Sequence, residues 1–344
     1  MVAGAAGRGR GAGHRRGRRR GGRRAAARRG RFAPPGCEGT RGSELVNDTA
    51  AAKSPPVRHG ALELLRAVPA GVSQVYLQES VPAGIAFLVA LALAGPEFAL
   101  AGLVGSAVGV LTATALRVPR ERISQGLFGF NATLVVLGTV ASFQPLGPAL
   151  LVGIAGAVVA TVLARVADLL LTVPARTAPF VLTYWLIVYI GHHFDWIRAS
   201  PSPVSPVLGL DGDPLALFSA EAEVFLMSGW LPGLVMLIGL AIVRFRLAVG
   251  AFCGAAVALA AVELLPHTPP DVASGVYGFN AALVVVGLLT TGRTWRSCLV
   301  AVPAVLLLQG GVEALGLVPT TFPFVLAMWT ADLHRLHRTG TARP

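Results

Sequence analysis

GLFGFNATLVVLG, residues Gly126–Gly138, returns as GVYGFNAALVVVG at residues Gly275–Gly287. Nine of the thirteen positions are identical, and equivalent positions are 149 residues apart. Each copy sets an asparagine, Asn131 or Asn280, within a run apolar enough for a membrane interior. An amide there needs a hydrogen-bond partner, because leaving it unpaired in hydrocarbon costs several kcal/mol. The repetition indicates an internal duplication, and we expect the two asparagines to have a structural role in close helix packing.

The composition places the chain in a membrane. Charged residues make up 13% of the sequence and apolar residues 54%, whereas about 25% charged residues is usual for a soluble protein. Several apolar runs approach the roughly 20 residues that a helix needs to cross a bilayer. The sequence therefore predicts a polytopic membrane protein.

The net charge of +12 belongs to an N-terminal tail, since Met1–Phe32 contains twelve arginines and no acidic residue. Residues 1–53 are predicted to be disordered because they hold too little apolar surface to offset the ordering entropy. We interpret them as a cytoplasmic tail beside the membrane, or as an over-extended start of the reading frame. The alternative is an RNA-binding arm, although no specific nucleic acid partner is expected. The three cysteines have no metal-ligand spacing, so neither a metal nor a cofactor is expected.

Ten apolar segments follow, five in each half: 82–95, 98–116, 126–141, 148–164 and 178–191, then 230–243, 247–264, 275–291, 298–316 and 322–333. They divide the chain into a first transmembrane repeat at 54–195, an extracytoplasmic linker at 196–220, a second repeat at 221–334 and a basic C-terminal tail at 335–344.

Arginine-rich loops fall on one side of the membrane if the chain starts inside and crosses ten times, which predicts cytoplasmic termini in a multi-pass protein of the cell membrane. Five crossings is an odd number, so the second repeat would enter the bilayer from the opposite face. The predicted fold is an all-α polytopic membrane protein with two inverted five-helix repeats, each with a short re-entrant helix.

A less apolar lead-in precedes each set of crossings, at Gly71–Gly84 and Ser219–Gly233. Aligned on their closing Pro-x-Gly and Pro-Gly, the lead-ins place Gln74 opposite Glu223, again 149 residues apart. Segments this short and polar suggest re-entrant helices beside a cavity, where both side chains offer hydrogen-bond acceptors. The alternative is a position among lipid headgroups, which is reasonable for Glu221.

Two further pairs carry candidate side chains. Thr177 and Thr321 each precede a proline by two residues at the start of the last crossing of their repeat, where a hydroxyl either joins carbonyls left free by the proline or caps the helix. Four aromatic residues of the repeated motif either belong to the core or form flat slots: Phe128, Phe130, Tyr277 and Phe279.

The stretches SQVYLQ and AEVFLM, the two GxxGFNxxLVV motifs and the two TxPF endings together resemble the urea transporter family over about Leu62 to Asp332. The resemblance implies a narrow slot in which oxygen ladders bind the amide hydrogens of urea. Gln74 and Glu223 match the ladder positions, and Thr177 and Thr321 match the central threonines. The slot walls would be Phe130, Phe279, Leu134 and Leu283, completed by Leu77 and Leu226. The resemblance also implies a homotrimer with one pore per subunit.

Passive transport of urea follows as the expected function, with no ion or ATP coupling and no enzymatic activity. Rival hypotheses are a channel for another small neutral solute, namely ammonia, short amides or water, and an intramembrane enzyme built on Asp168, Glu263 or Glu313. Ammonia channels place paired histidines in the pore, whereas His192 and His193 lie at the outer end of a crossing.

Overall fold

The computed structural model describes residues 57–194, 198–199, 216–265 and 274–339. The predicted tail at 1–53, most of the predicted linker and the last five residues lie outside these ranges. The described chain is helical apart from turns and one two-residue strand pair, in which β1 (Phe143–Gln144) runs antiparallel to β2 (Arg198–Ala199). The helices are α1 Val57–Ser73, α2 Val81–Ala94, α3 Pro96–Ala115, α4 Arg120–Ser124, α5 Phe130–Ser142, α6 Leu146–Leu170, α7 Ala178–Phe194, α8 Ala216–Glu223, α9 Trp230–Glu263, α10 Phe279–Thr290, α11 Trp295–Ala314 and α12 Phe322–Thr339.

Each of the ten apolar segments is helical over most of its length, and the fold is that of an all-α polytopic membrane protein. By length and composition, four helices of the described residues could span a membrane alone: α3, α6, α9 and α11. A fifth span results if the pair Leu62–Tyr76 and Val81–Ala94, bent by 77°, is counted as one. Many leucines and valines of these helices are exposed, for example Leu151, Leu170 and Leu307, as expected for surfaces that contact lipid tails.

The first lead-in, Gly71–Gly84, begins in the last turn of α1, most of which precedes it, and continues as a 3₁₀ turn at Gln74–Tyr76. Helix α2 then starts at a true N-cap, because the side chain of Ser80 accepts a hydrogen bond from the Ala83 N–H at 3.2 Å. In the second half α8 begins at Ala216, so the helix includes the last five residues of the predicted linker. Each lead-in therefore contains the end of a helix, α1 or α8, and a turn before the next helix begins, and we call α1 and α8 the lead-in helices.

The repeated motif starts as a turn and not as a helix. Gly126 and Gly275 have positive φ angles of 78° and 91°, and α5 and α10 begin four residues later. A Cβ on Gly126 would overlap the backbone of Ala70, and one on Gly275 the backbone of Ala220. The motif glycines thus let both copies pack directly on the end of their lead-in helix. The resulting helices have only 13 and 12 residues and are almost entirely buried.

Helix α9 contains the two apolar segments predicted at 230–243 and 247–264. They meet at Arg244, whose backbone is extended (φ −152°, ψ 106°) in the middle of the helix. The predicted boundary therefore appears as a kink at one residue and not as a loop.

Candidate functional site

Two cavities are lined by residues that the duplication relates. The first, the Gln74 pocket, has a volume of about 430 Å³, and the second, the Glu223 pocket, about 500 Å³. In four pairs of residues 149 positions apart, the first member lines the Gln74 pocket and the second the Glu223 pocket: Gln74 and Glu223, Leu77 and Leu226, Leu127 and Val276, and Phe130 and Phe279. The pockets are thus two copies of one arrangement.

Each pocket is also lined from the opposite half of the chain, the Gln74 pocket by one residue and the Glu223 pocket by six. Thr290 at the end of α10 lines the Gln74 pocket, and its equivalent Ala141 in α5 lines the Glu223 pocket. Sequence reasoning missed this pair, although the 149-residue offset would have related the two positions. Neither pocket is complete without both halves.

Gln74 is 8% exposed and lies in the 3₁₀ turn after α1. Its Nε2 donates a hydrogen bond to the carbonyl of Gln125 at 2.8 Å, and within the described residues its Oε1 accepts none. Three residues later, Leu77 has a left-handed backbone (φ 59°), and its N–H donates a hydrogen bond to the Gln74 carbonyl at 2.8 Å, which closes the turn. The side-chain oxygen is therefore the acceptor that Gln74 can offer to a ligand.

Glu223 ends α8 in an equivalent turn. Leu226 is left-handed (φ 62°), and its N–H bonds the Glu223 carbonyl at 2.9 Å. The Glu223 side chain is half-buried, and its Oε1 accepts a hydrogen bond from the Ser228 hydroxyl at 2.7 Å. The carboxylate is thus oriented at the wall of its pocket by a neighbouring hydroxyl.

Thr177 and Thr321 are brought together although 144 residues separate them. The Thr321 hydroxyl donates to the Thr177 hydroxyl at 2.7 Å, and both residues are buried. Arg176, just before Thr177, lines the Gln74 pocket, and Thr320, just before Thr321, lines the Glu223 pocket. The hydroxyl pair therefore lies next to one lining residue of each pocket, and among the described residues the hydroxyls bond one another and not their own helices.

The two motif asparagines make the same contacts in both halves. Asn131 Nδ2 donates to the Arg176 carbonyl at 3.1 Å, and its Oδ1 accepts from the Phe180 N–H at 3.0 Å. Asn280 repeats this with the Thr320 carbonyl at 2.9 Å and the Phe324 N–H at 3.3 Å. Each asparagine thus bonds the backbone on both sides of a threonine.

The second half adds a polar group that the sequence did not suggest. Gln309 in α11 is fully buried, accepts from Asn280 Nδ2 at 3.2 Å, and donates to the Val276 carbonyl at 3.1 Å. Its Nε2 also donates to Glu313 at 3.2 Å. Glu313 therefore belongs to a hydrogen-bond network around Asn280.

The remaining predicted residues are divided between pocket and core. Phe128 lines the Gln74 pocket, with the Arg122 guanidinium 5.7 Å from its ring centre, whereas Tyr277 is absent from the lining of the Glu223 pocket. Leu134 and Leu283 are fully buried and line neither cavity.

Charged residues at the Gln74 pocket are paired. Arg122 bonds Asp168, to which Arg165 also lies at 3.3 Å, and Arg176 bonds Asp332 at 2.9 Å. Asp168 is thus an ion-pair partner, and no cluster of three His, Cys, Asp or Glu that could hold a metal occurs in the ranges described.

Glu221 corrects one sequence-based interpretation. Assigned to the lipid headgroups as an alternative, it is 0% exposed and accepts a hydrogen bond from the Tyr76 hydroxyl at 2.6 Å. The assignment was wrong because the polar run at Glu221–Glu223 does not show that the Glu221 side chain is buried against Tyr76. Tyr76 is 145 residues away in the sequence, so no local sequence pattern could predict this contact.

Comparisons with known proteins agree with one another. A family model described as "Urea transporter" matches residues 65–334. Urea transporter 1 of Ovis aries and that of Rattus norvegicus are each 37% identical to the chain over 86 residues, and that of Mus musculus is 38% identical over 86 residues. These alignments cover 25% of this chain and 22% of each relative. The aligned region is therefore about a fifth of the length of the relatives.

Proposed function

This chain belongs to the urea transporter family, and from that premise we propose that it carries urea passively across a membrane. The pathway would run from the Gln74 pocket past the Thr177–Thr321 hydroxyl pair to the Glu223 pocket. The observation that carries this proposal is the equivalence of the two pockets, with a bonded pair of hydroxyls next to a lining residue of each. We propose no catalytic role.

The chemistry of the lining suits a neutral amide. Urea has four N–H donors that lose their water on entering a narrow pathway, so acceptors must replace that water at about 2.9 Å. Gln74 and Glu223 supply one acceptor group to each pocket, and the threonine hydroxyls supply acceptors between them. A hydroxyl accepts and donates, so it also serves the urea carbonyl oxygen.

The apolar residues would form the walls of a flat slot. Phe130 and Leu77 line one pocket, and Phe279 and Leu226 line the other. We propose Leu134 and Leu283 as walls of a narrow stretch between the two pockets. Both side chains are fully buried, as expected where a pathway is narrower than a water molecule. Phe128 and Tyr277 would stand at the outer parts of the slot.

Asn131 and Asn280 would have a structural role in this pathway. Each bonds a carbonyl just before a threonine and an N–H three residues after it. Such a clamp holds the threonine at a fixed place immediately before α7 or α12, where Pro179 and Pro323 in the first turn have no N–H to offer. The asparagines would therefore shape the pathway without contacting the solute.

Charge pairing supports a neutral solute. The Gln74 pocket is lined by Arg122, Asp168 and Arg176, and each of these side chains takes part in an ion pair. With their partners Arg165 and Asp332 these groups are three arginines and two aspartates with a formal net charge of +1, and opposite charges paired so closely do not strongly concentrate an anion or a cation at the pocket. A solute without charge gains nothing from coupling to membrane potential, so we expect flux to ignore it.

For the whole molecule we propose two inverted repeats in the cell membrane, with both termini in the cytoplasm, assembled as a homotrimer with one pore per subunit. The repeated contacts around the motif glycines and asparagines support equivalent folds for the halves.

The decisive experiment measures urea entry into proteoliposomes by stopped-flow light scattering. We expect saturable urea flux that is unchanged by a proton or sodium gradient and by membrane potential. Parallel arms with ammonia, acetamide and an osmotic water gradient address the alternative neutral solutes. Urea flux equal to that of empty liposomes, with flux in another arm, would replace urea by that solute.

A further inference from the structure

A buried acid joins the two lead-in segments at a place that the pathway does not use. Glu221 in α8 receives the Tyr76 hydroxyl on Oε2 at 2.6 Å, and the same hydroxyl lies 3.0 Å from the Glu221 carbonyl oxygen. Both residues are buried, and neither lines the Gln74 pocket or the Glu223 pocket. Within the described ranges Glu221 Oε1 is buried without a hydrogen-bond partner.

This contact is not a product of the duplication. The position equivalent to Tyr76 in the second half is Phe225, and the position equivalent to Glu221 in the first half is Val72. Both equivalents are buried and apolar. The hydrogen-bonded pair therefore replaces an apolar arrangement, and a buried acid that makes so few bonds is a costly replacement.

The pair lies directly behind the residues that line the pockets. Tyr76 is two residues after Gln74 and immediately before Leu77, and Glu221 is two residues before Glu223. Its bond therefore connects the segment that lines one pocket to the segment that lines the other.

The tyrosine is poorly able to move. Its ring lies 5.3 Å from that of Phe87 and 6.1 Å from that of Phe225, which are 5.6 Å from each other. An aromatic side chain has only two torsion angles, so a ring fixed by such packing also restrains the backbone that carries it. A hydroxyl shared between two oxygens of Glu221 then restrains α8 relative to the 3₁₀ turn.

We propose that Tyr76 and Glu221 are positioning residues that fix the spacing of the two lead-in segments and so set the solute selectivity of the pathway. The selectivity part rests on the proposed function. A slot that admits flat molecules by its width discriminates between solutes that differ by one methyl group, and its width depends on where these segments lie.

The test uses the full chain in proteoliposomes and three variants. Tyr76→Phe removes the donor and keeps the ring. Glu221→Gln keeps a side-chain acceptor for the tyrosine. The double variant Tyr76→Phe with Glu221→Val introduces the residue types that the chain already uses at the equivalent positions, so it remains informative if Tyr76→Phe alone fails to fold.

Two quantities are measured: the ratio of urea to N-methylurea flux, and hydrogen exchange of the amides in residues 74–78 and 221–227. We expect the flux ratio to fall about three-fold or more in Tyr76→Phe and in the double variant, with faster exchange in both segments. Glu221→Gln should keep both quantities close to those of the unmodified protein.

A double variant with unchanged flux ratio and unchanged exchange would show that the pair only fills the core, and would overturn the proposal. If the unmodified protein carries no urea, the transport proposal and the selectivity part fall together. Hydrogen exchange then still decides whether the pair positions the two segments.

Discussion

The Thr177 and Thr321 hydroxyls bond each other, so among the described residues each hydroxyl has its side-chain partner in the other half of the chain. Replacing either threonine by valine keeps the volume and leaves the remaining hydroxyl buried without that partner. A lost neutral hydrogen bond is worth roughly 0.5 to 1.5 kcal/mol, and an unpaired buried group costs more. We therefore expect stopped-flow urea flux to fall several-fold in both Thr177→Val and Thr321→Val.

Thr161→Val is the matched control for these variants. Thr161 is also buried, but it lies in α6, and its hydroxyl donates to the Ala157 carbonyl at 2.8 Å within its own helix. Flux in this variant should equal that of the unmodified protein. Unmodified flux in both Thr177→Val and Thr321→Val would remove the hydroxyl pair from the pathway.

Glu223 should tolerate loss of its charge but not loss of its oxygen. Glutamine stands at the equivalent position 74 and retains an acceptor, so Glu223→Gln should carry urea within about two-fold of the unmodified rate. Glu223→Ala removes the acceptor of the Ser228 hydroxyl as well as one for the solute, and we expect several-fold lower flux. The measurement is the same flux assay with and without a proton gradient. Equal rates in both variants, or a gradient dependence that Glu223→Gln abolishes, would contradict an acceptor role.

At the scale of elements, the contact between each lead-in helix and the following helix depends on one glycine. A Cβ at Gly84 would overlap the carbonyl oxygen of Pro69, and one at Gly233 that of Phe218, the equivalent residue. Alanine at either position must push α2 or α9 away from its lead-in, and such overpacking costs about 1 to 3 kcal/mol. We expect a lower thermal unfolding temperature of the detergent-solubilised protein in both variants.

Gly310→Ala provides the comparison within the same chain. Gly310 lies in α11, and a Cβ there would meet no atom within 4 Å. Alanine in a helix interior is favoured over glycine by roughly 0.5 to 1 kcal/mol, so this variant should unfold at the same temperature or higher. If Gly84→Ala and Gly233→Ala behave like Gly310→Ala, the close approach of the helices is not required.

The sequence predicted the helices well and their starts poorly. Apolar runs and a 149-residue repeat are properties of the sequence, so each predicted apolar segment is helical over most of its length, whereas α1 lies outside the predicted apolar segments. An apolar run does not show where its first turn lies, however, and the left-handed Gly126 and Gly275 delay α5 and α10 by four residues.

Contacts between the two halves could be predicted only where the duplication relates the residues. Gln74 with Glu223 was visible because both obey the offset, and their pockets contain them as equivalents. Tyr76 with Glu221 was not visible, because the contact joins positions that the duplication does not relate. A single sequence carries no signal for such a pair beyond the two residue types.

At the scale of the whole molecule, the proposed inverted arrangement places the loop around Arg120 and the stretch near Ser205 on opposite sides of the membrane. The motivation is the distribution of arginines between the loops. In a chain whose native cysteines are replaced, a cysteine at Arg120 should react with a membrane-impermeant thiol reagent only from the cytoplasmic side. A cysteine at Ser205 should react only from the outside. Labelling of both from one side would rule out the inverted arrangement.

The exchange of Thr290 and Ala141 between the pockets bears on the ancestry of the chain. A half-length ancestor could not have closed either pocket alone, so it would have had to work as a pair of identical copies about a two-fold axis. A residue next to such an axis contacts the same residue of the second copy. A hydroxyl is suited to that meeting because it both donates and accepts, whereas two carboxylates would repel and two ammonium groups could only donate. Threonine at the crossing point is thus a residue that a self-associating gene product could use before the two copies were fused and free to diverge.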